Sequence, residues 1–272
     1  MKILLGSDPE VFLLNSSDQP VSAVGLVGGT KENPLKQGNY AYLEDNVTVE
    51  FNIPPASNVE AWIANHTKAL DFVRNKIANP NGLHVGIVSA LEFPDSELKT
   101  EGAQTFGCNP DFNAWLLEPN PAPSATSTNL RTAGGHIHIG VQMNLAKKMQ
   151  LVRVLDLMLG VPLAMLNPTD RRNELYGNAG ACRLKPYGVE YRVPSNIWLT
   201  SEQLMREVYG VVTDVVDNLS AYDEILEQTA SFFEAMPTGA MATIENIDIL
   251  TLIRDNMTNQ YDSVYSAVLE KV

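Results

Sequence analysis

The first two hundred positions contain short segments in which hydrophobic and polar residues alternate, the pattern of strands with two unlike faces. Between Val47 and Ile53 every second residue is apolar, and the residues between them are polar. Alternation also predicts strands over Lys2–Leu14, His84–Ala90, Gly134–Val141 and Val189–Val193. Because strands of a doubly wound parallel sheet are apolar on both faces, this pattern favours an antiparallel sheet.

Helical periodicity marks much of the remaining chain. Asn58 is suited to cap a helix that runs to about Ala78, and Asn144 to cap one that reaches about Leu166. After Thr200 the predicted helices are Ser201–Ala235 and Thr243–Leu269.

Residues 92–131 separate these regular segments and are rich in Pro, Asn, Ser and Thr with little periodicity. A loop of that length inside a folded domain is usually functional or mobile. The whole pattern predicts an α+β fold, in which helices pack on the outer face of a curved antiparallel β-sheet. We expect a single domain over residues 1–272, with a helical C-terminal part from about 200 to 272.

The polar faces of the predicted strands carry mainly acids, histidines and asparagine with one arginine. The residues are Asp8, Glu10, Glu50, Asn52, His136, His138, Glu190 and Arg192. On any one strand such residues most simply face solvent. Together, however, they match the ligands of a metal and phosphate site, because Mg²⁺ binds carboxylates, waters and phosphates while arginine binds phosphate oxygens.

The composition and net charge of the chain indicate which classes of molecule it can bind. The chain has 272 residues, of which 44% are hydrophobic and 19% charged, with a formal net charge of -13. This charge argues against nucleic acid and against an anionic membrane surface as partners. An acidic protein can still bind ATP where metal ions and local arginines reverse the sign of the potential.

The two cysteines and the apolar segments bear on localisation. Cys108 and Cys182 lie outside any CxxC motif, which favours reduced thiols in a cytoplasmic protein over a zinc or redox site. The N-terminal apolar run is too short for a signal peptide. No apolar stretch is predicted to reach membrane-spanning length, and Leu151–Leu166, interrupted by Arg153 and Asp156, is predicted to be a buried helix.

The sequence lacks several common catalytic motifs, so the polar face of the predicted sheet is the main candidate for an active site. The sequence contains no G-x-x-x-x-G-K-[ST] phosphate loop, no G-x-G-x-x-G after a strand and no G-x-S-x-G. A His-x-His pair alone also occurs in cupin-type and zinc sites or as structural histidines. Gln142 and Asn144 follow it here where a cupin would carry glutamate, which weakens the cupin interpretation.

Several segments carry a more specific signal. They are Gly6–Glu10, Asp45–Asn46, Val49–Asn52, Phe106–Asp111, Gly134–Gly140, Tyr176–Gly177 and Arg183–Arg192. In this order they resemble the phage-type carboxylate–amine ligase family, or amidoligase type 2, of the glutamine synthetase and glutamate–cysteine ligase superfamily. The resemblance runs from Gly6 to about Asn196, and its most specific blocks are Gly134–Gly140 and Tyr187–Arg192.

The resemblance implies a glutamine synthetase-like funnel that holds two or three Mg²⁺ (or Mn²⁺) ions and the phosphates of ATP. It implies that His136 and Glu190 bind a first metal and Glu50 a second, with Asp8 and Glu10 divided between them. Asp8 stands where glutamine synthetases carry the longer glutamate, so a direct or a water-bridged contact is open. The residues implied to face nucleotide are Asn52, His138, Arg183 and Arg192.

These expectations predict an ATP-dependent carboxylate–amine ligase that acts through an acyl phosphate in the cytoplasm, or in the host cytoplasm if the gene is carried by a phage. Its acid and amine would be small molecules or peptides, with Arg183, Arg192 and Glu50 in catalysis and Glu50 or Asp111 as candidate base. A metal-dependent hydrolase or phosphotransferase, a guanidino-type kinase, and a non-catalytic binding or virion-associated protein stay open, as does the oligomeric state.

Overall fold

Short antiparallel strands form the sheets of this computed structural model, which describes residues 3–104, 111–121, 129–167, 170–236 and 247–256. In chain order the strands are β1 Leu4–Ser7, β2 Glu10–Leu14, β3 Pro20–Val21, β4 Leu35–Gln37, β5 Tyr40–Asp45, β6 Thr48–Asn52, β7 His84–Gly86, β8 Ala90–Glu92, β9 Phe112–Asn113, β10 Glu118–Pro119, β11 Leu130–Thr132, β12 Ile137–Gly140, β13 Ala181–Lys185 and β14 Gly188–Tyr191. One sheet has the order β1-β12-β14-β13-β9-β10, and a second has the order β3-β2-β6-β5-β4 with β7 also paired to β2. The predicted α+β class with a curved antiparallel sheet is confirmed, since one sheet is curled into a half-barrel.

The two sheets meet at the start of the chain. β1 pairs with β12 in one sheet, whereas β2 pairs with β6 in the other. Ile53 N donates to Ser7 O at 3.3 Å and Phe51 N to Pro9 O at 3.1 Å, so the same segment runs beside both strands. The predicted single strand Lys2–Leu14 is therefore wrong, because Asp8 and Pro9 interrupt it.

Helices cover the apolar side of the sheets. They are α1 Val59–Phe72, α2 Glu101–Gln104, α3 Leu145–Leu155, α4 Val161–Leu166, α5 Glu202–Asp217, α6 Asp223–Glu234 and α7 Ile247–Asn256. A π-helical segment, Val73–Ala78, extends α1, and another, Asp156–Gly160, joins α3 to α4. The predicted caps are confirmed: Asn58 accepts a hydrogen bond from Ala61 N and Asn144 accepts one from Lys147 N.

The alternation in β6 predicts the burial of all its residues except Thr48, which belongs to the polar face but is buried. Val49 and Phe51 are fully buried in the main hydrophobic core, while Glu50 and Asn52 on the other face are only partly buried. The apolar faces of β12 and β14 join the same core as residues of α3 and α5. One face of the curved sheet is thus packed on helices, and the other is left for polar side chains.

Several elements differ from the prediction, either in their bounds or because no strand was predicted there. His84–Ala90 is two separate strands, β7 and β8, which lie in different sheets. The predicted helix Ser201–Ala235 is divided at Asn218 into α5 and α6. In the Gly-rich, basic segment 176–188 the structure contains a strand, β13, that periodicity did not reveal.

Parts of other predictions lie outside the described residues. These parts are the motif positions 106–110 with Cys108, residues 122–128 of the long loop, and positions 243–246 and 257–269 of the last predicted helix.

The helical run Leu145–Leu166 is long and apolar enough to cross a membrane, by length and composition alone, so the prediction that no stretch reaches that length is wrong. The predicted burial of this helix is nevertheless observed. Of its most apolar window 72% is buried inside the protein, as in the core helix of a folded domain.

Candidate active site

A row of polar side chains crosses three neighbouring strands of the curved sheet. The pairing register places His138 of β12 opposite Glu190 of β14, and Glu190 opposite Arg183 of β13. Directly opposed residues of antiparallel strands project from the same face. Three residues from distant parts of the sequence therefore lie side by side because of strand register.

The first cluster comprises Asp8, His136 and Glu190, whose potential ligand atoms all lie within 4.8 Å of one another. His136 Nδ1 is 3.4 Å from Asp8 Oδ1, and His138 Nε2 is 3.1 Å from Asp8 Oδ2. Asp8 Oδ1 is buried and accepts no hydrogen bond from the described residues. Two carboxylates and one imidazole with a buried oxygen left over fit a divalent cation.

Three cations surround the carboxylate of Glu190, which is fully buried. Arg192 Nη1 contacts Oε1, Arg183 Nη1 lies 3.5 Å from the same oxygen, and Lys185 Nζ lies 2.7 Å from Oε2. Burial and the neighbouring Asp8 raise the pKa of Glu190, but Arg192, His136 and Lys185 outweigh them, and the pKa lies below its ordinary value.

The two histidines stabilise the negative charge of Asp8 in the same way. Burial would raise the pKa of Asp8, but the nearby imidazoles of His136 and His138 hold it well below its usual range. Burial and the charge of Arg192 lower the pKa of His136. The pKa of His138 is raised, because Asp8 more than offsets the effect of burial.

The second cluster comprises Glu10, Asp45 and Glu50, again with ligand atoms within 4.8 Å of one another. Glu10 of β2 stands directly opposite Glu50 of β6. Like charges in this position destabilise a sheet. Burial and then Asp45 raise the pKa of Glu10 to about 7, and burial together with Asp8, Asp45 and Glu10 raises that of Glu50 well above its ordinary value. Such a group of oxygens also fits a hard divalent cation.

Asp45 was not assigned a role from the sequence, although it belongs to one of the segments that carry the resemblance. It ends β5 beside Asn46, whose φ of 54° turns the chain into β6. The usable signal was the Asp-Asn turn between two alternating strands, since asparagine tolerates a left-handed backbone there.

A cleft that is open to solvent brings residues of the two clusters together. Its lining residues are Glu10, Asp45, Asn46, Arg131, Thr132, Gly134, His136, Arg172, Tyr176 and Arg192. Acidic and basic side chains therefore share one space, and Arg131, Arg172 and Tyr176 were not among the predicted site residues. Arg172 Nη1 donates to Val193 O at 2.9 Å, which holds the chain immediately after Arg192.

The back of β14 is anchored to the helical layer. Tyr191 Oη donates to Asp156 Oδ1 at 2.8 Å, and Trp115 Nε1 and Gly180 N both donate to Asp156 Oδ2 at 2.6 Å. Because Tyr191 lies between Glu190 and Arg192, this buried network orients the two functional side chains toward the polar face.

Each predicted site residue lies on or beside this polar face. Asn52 Nδ2 donates to Glu50 Oε1 at 3.1 Å, and Arg192 Nε lies 3.4 Å from Asp111 Oδ2. Asp8 and Glu10 were predicted to share a strand face, but the break at Pro9 assigns them to the first and second clusters respectively.

Comparison with family models gives one match. The family described as phage phiEco32-like COOH.NH2 ligase-type 2 matches residues 124–269, just over half of the 272 residues. The matched region contains His136, Glu190 and Arg192, whereas Asp8 and Glu50 precede it. A comparison with curated proteins finds no match.

Proposed function

The chain belongs to the phage phiEco32-like COOH.NH2 ligase-type 2 family, whose description indicates a carboxylate–amine ligase, and we propose that its reaction consumes ATP and requires Mg²⁺. The acid and the amine are small molecules or peptides. The carboxylate is activated as an acyl phosphate before the amide bond forms.

The proposal is carried by one observation: both groups of potential ligand atoms contribute residues to one cleft, which arginines also line. Asp8, His136 and Glu190 would hold one Mg²⁺ ion, and Glu10, Asp45 and Glu50 would hold another. Bound ions supply positive charge to the phosphate oxygens and polarise the transferring phosphoryl group.

The arginines supply fixed positive charge. Arg192 is 4% exposed and is held by Glu190 and Asp111, so its guanidinium is oriented before a ligand arrives. Arg183 lies on β13, directly opposite the same glutamate of β14. A planar guanidinium in this environment can bind phosphate oxygens and stabilise the charge that develops in phosphoryl transfer.

The proposed reaction has two steps with balanced bonds. A carboxylate oxygen of the acid attacks the γ-phosphorus of ATP, and the bond from that phosphorus to the ADP oxygen breaks. The amine nitrogen then attacks the acyl carbon, the bond to the phosphate oxygen breaks, and one proton leaves the nitrogen. Water must stay away from the acyl phosphate, which it would otherwise hydrolyse.

Oxygen transfer tests this reaction directly. The protein is incubated with ATP, Mg²⁺, amines and a panel of carboxylic acids labelled with ¹⁸O in both carboxyl oxygens. We expect acid-dependent ADP formation, an amide that retains one ¹⁸O, and inorganic phosphate that carries the other. Glu190→Gln serves as the inactive control.

The same measurement separates the alternatives. ADP release that does not depend on acid and amine indicates a hydrolase. Acid-dependent amide formation with unlabelled phosphate contradicts the acyl phosphate. Absence of any nucleotide binding or turnover favours a non-catalytic protein that keeps the fold.

A further inference from the structure

Lys185 lies in the first cluster without having been assigned any role from the sequence. It is the last residue of β13, two positions after Arg183, and both side chains project toward the polar face. Its Nζ reaches diagonally to Glu190 Oε2 at 2.7 Å. Its positive charge also opposes the rise in the pKa of His138 that Asp8 causes.

The charge around Glu190 changes when a divalent cation binds. Arg183, Lys185 and Arg192 together balance this one buried carboxylate and the nearby Asp8. A divalent cation bound to Asp8, His136 and Glu190 adds two positive charges to a place that already holds three. The excess favours an anion with several oxygens, such as a polyphosphate, in contact with these cations.

Of the three cations, Lys185 has the most exposed side chain. That side chain is 31% exposed, compared with 26% for Arg183 and 4% for Arg192, which also contacts Asp111. A lysine ammonium on a four-carbon stem can reorient without disturbing the strand, whereas the planar fork of Arg192 is fixed by two carboxylates.

We propose that Lys185 binds a phosphate oxygen of the nucleotide, leaving Glu190 when a metal ion takes that carboxylate. Lys185 thus holds the charge of Glu190 in the metal-free protein and contacts substrate in the complex. This inference depends on the proposed use of ATP and adds a phosphate-binding residue to it.

The exchange predicts effects of opposite sign on two ligands. Without Lys185, a metal ion has one competitor fewer for Glu190, so metal affinity rises. The nucleotide loses one charge-assisted hydrogen bond, so its affinity falls. A lysine that only stabilises the hairpin would produce no such opposition.

The test compares Lys185→Met, Lys185→Gln and Lys185→Arg with the wild type and with Lys147→Met, a control on the surface of α3. Electron paramagnetic resonance measures binding of Mn²⁺ alone, and calorimetry measures a non-hydrolysable ATP analogue at saturating Mn²⁺. For Lys185→Met and Lys185→Gln we expect nucleotide affinity to fall about 10- to 100-fold and Mn²⁺ affinity to rise about two- to fivefold.

Lys185→Arg keeps the charge and should retain most of the nucleotide affinity. Unchanged nucleotide affinity in the Met and Gln variants, or a parallel loss of both ligands, overturns the role of Lys185 alone. If the wild type binds Mn²⁺ but no nucleotide, the proposed ATP dependence fails as well, so the two failures are distinguishable. Measuring two neutral variants guards against misfolding of one.

Discussion

The two carboxylate clusters contribute residues to one cleft but differ in how the protein balances their charge. In the first cluster, His136 and His138 lower the pKa of Asp8, and Arg192, His136 and Lys185 lower that of Glu190. In the second cluster, burial and mutual repulsion raise the pKa of both Glu10 and Glu50. The negative charge of the first cluster is thus balanced without a metal ion, whereas repulsion within the second cluster is reduced when protons or a cation bind.

Among the variants considered, those of Glu190 should change the free energy of unfolding of the metal-free protein most. Glu190→Ala removes the shared partner of three partly or fully buried cations, so we expect it to destabilise the metal-free protein by about 3–5 kcal/mol. Urea denaturation in EDTA measures this loss. Glu190→Gln, which keeps the volume, should recover only part of it.

Glu92→Ala is the matched control, because Glu92 pairs with Arg171 on the surface with a side chain that is 64% exposed. It should change stability little, as exposed ion pairs do. Equal effects of Glu190→Ala and Glu92→Ala would mean that the first cluster is not balanced in the way proposed.

The second cluster should make the stability of the metal-free protein depend on pH. Glu10 has a pKa of about 7 when folded, compared with an ordinary value of 4.5, so the folded state binds more protons between these values. Its contribution is therefore fully favourable below about pH 4.5 and is lost as pH rises through 7, by about 3 kcal/mol.

Glu10→Gln should flatten this part of the profile, since glutamine cannot titrate and can still accept the hydrogen bond from Gly134 N. Denaturation in EDTA from pH 5 to 8.5, with the wild type as reference, measures the difference in slope. Identical slopes for the two proteins would contradict the raised pKa.

The smallest effect is expected for Glu50→Gln. This change removes one of three clustered carboxylates while leaving an oxygen to accept from Asn52, so it should stabilise the metal-free protein by about 0.5–2 kcal/mol. The melting temperature at pH 8 in EDTA should rise by about 2–4 °C.

The exposed Glu32→Gln controls for a change in net charge and should leave the melting temperature nearly unchanged. With Mg²⁺ the wild type should melt above Glu50→Gln. The variant lacks one carboxylate ligand, so a bound metal ion stabilises its folded state less. A Glu50→Gln protein that melts below the wild type in EDTA would show that repulsion does not dominate the second cluster.

Much of the candidate site could be predicted because strand alternation is a local property. His136 with His138, and Glu190 with Arg192, are two residues apart, so each pair was assigned to one face without knowledge of the fold. The resemblance placed these pairs in a plausible ligand set. Their clustering agrees with that set, and their roles stay predictions.

Asp45 and Lys185 were missed because their contacts depend on strand pairing. Asp45 meets Glu10, which is distant in sequence, only because β5, β6 and β2 are neighbours, and Lys185 meets the nearby Glu190 only through the register of β13 with β14. β13 itself lies in a Gly-rich basic segment whose pattern gave no strand.

The sequence by itself determined which residues can bind metal and phosphate and which face of each strand they occupy, because side-chain chemistry and the period of two are local. Only the tertiary structure decided how they are grouped. Asp8 and Glu10 separate into two clusters because Pro9 interrupts the strand and the segments on either side pair with different sheets. Proline lacks the backbone N–H that a continuous ladder needs, but the sheet that each half joins depends on partner strands that lie far away in the sequence.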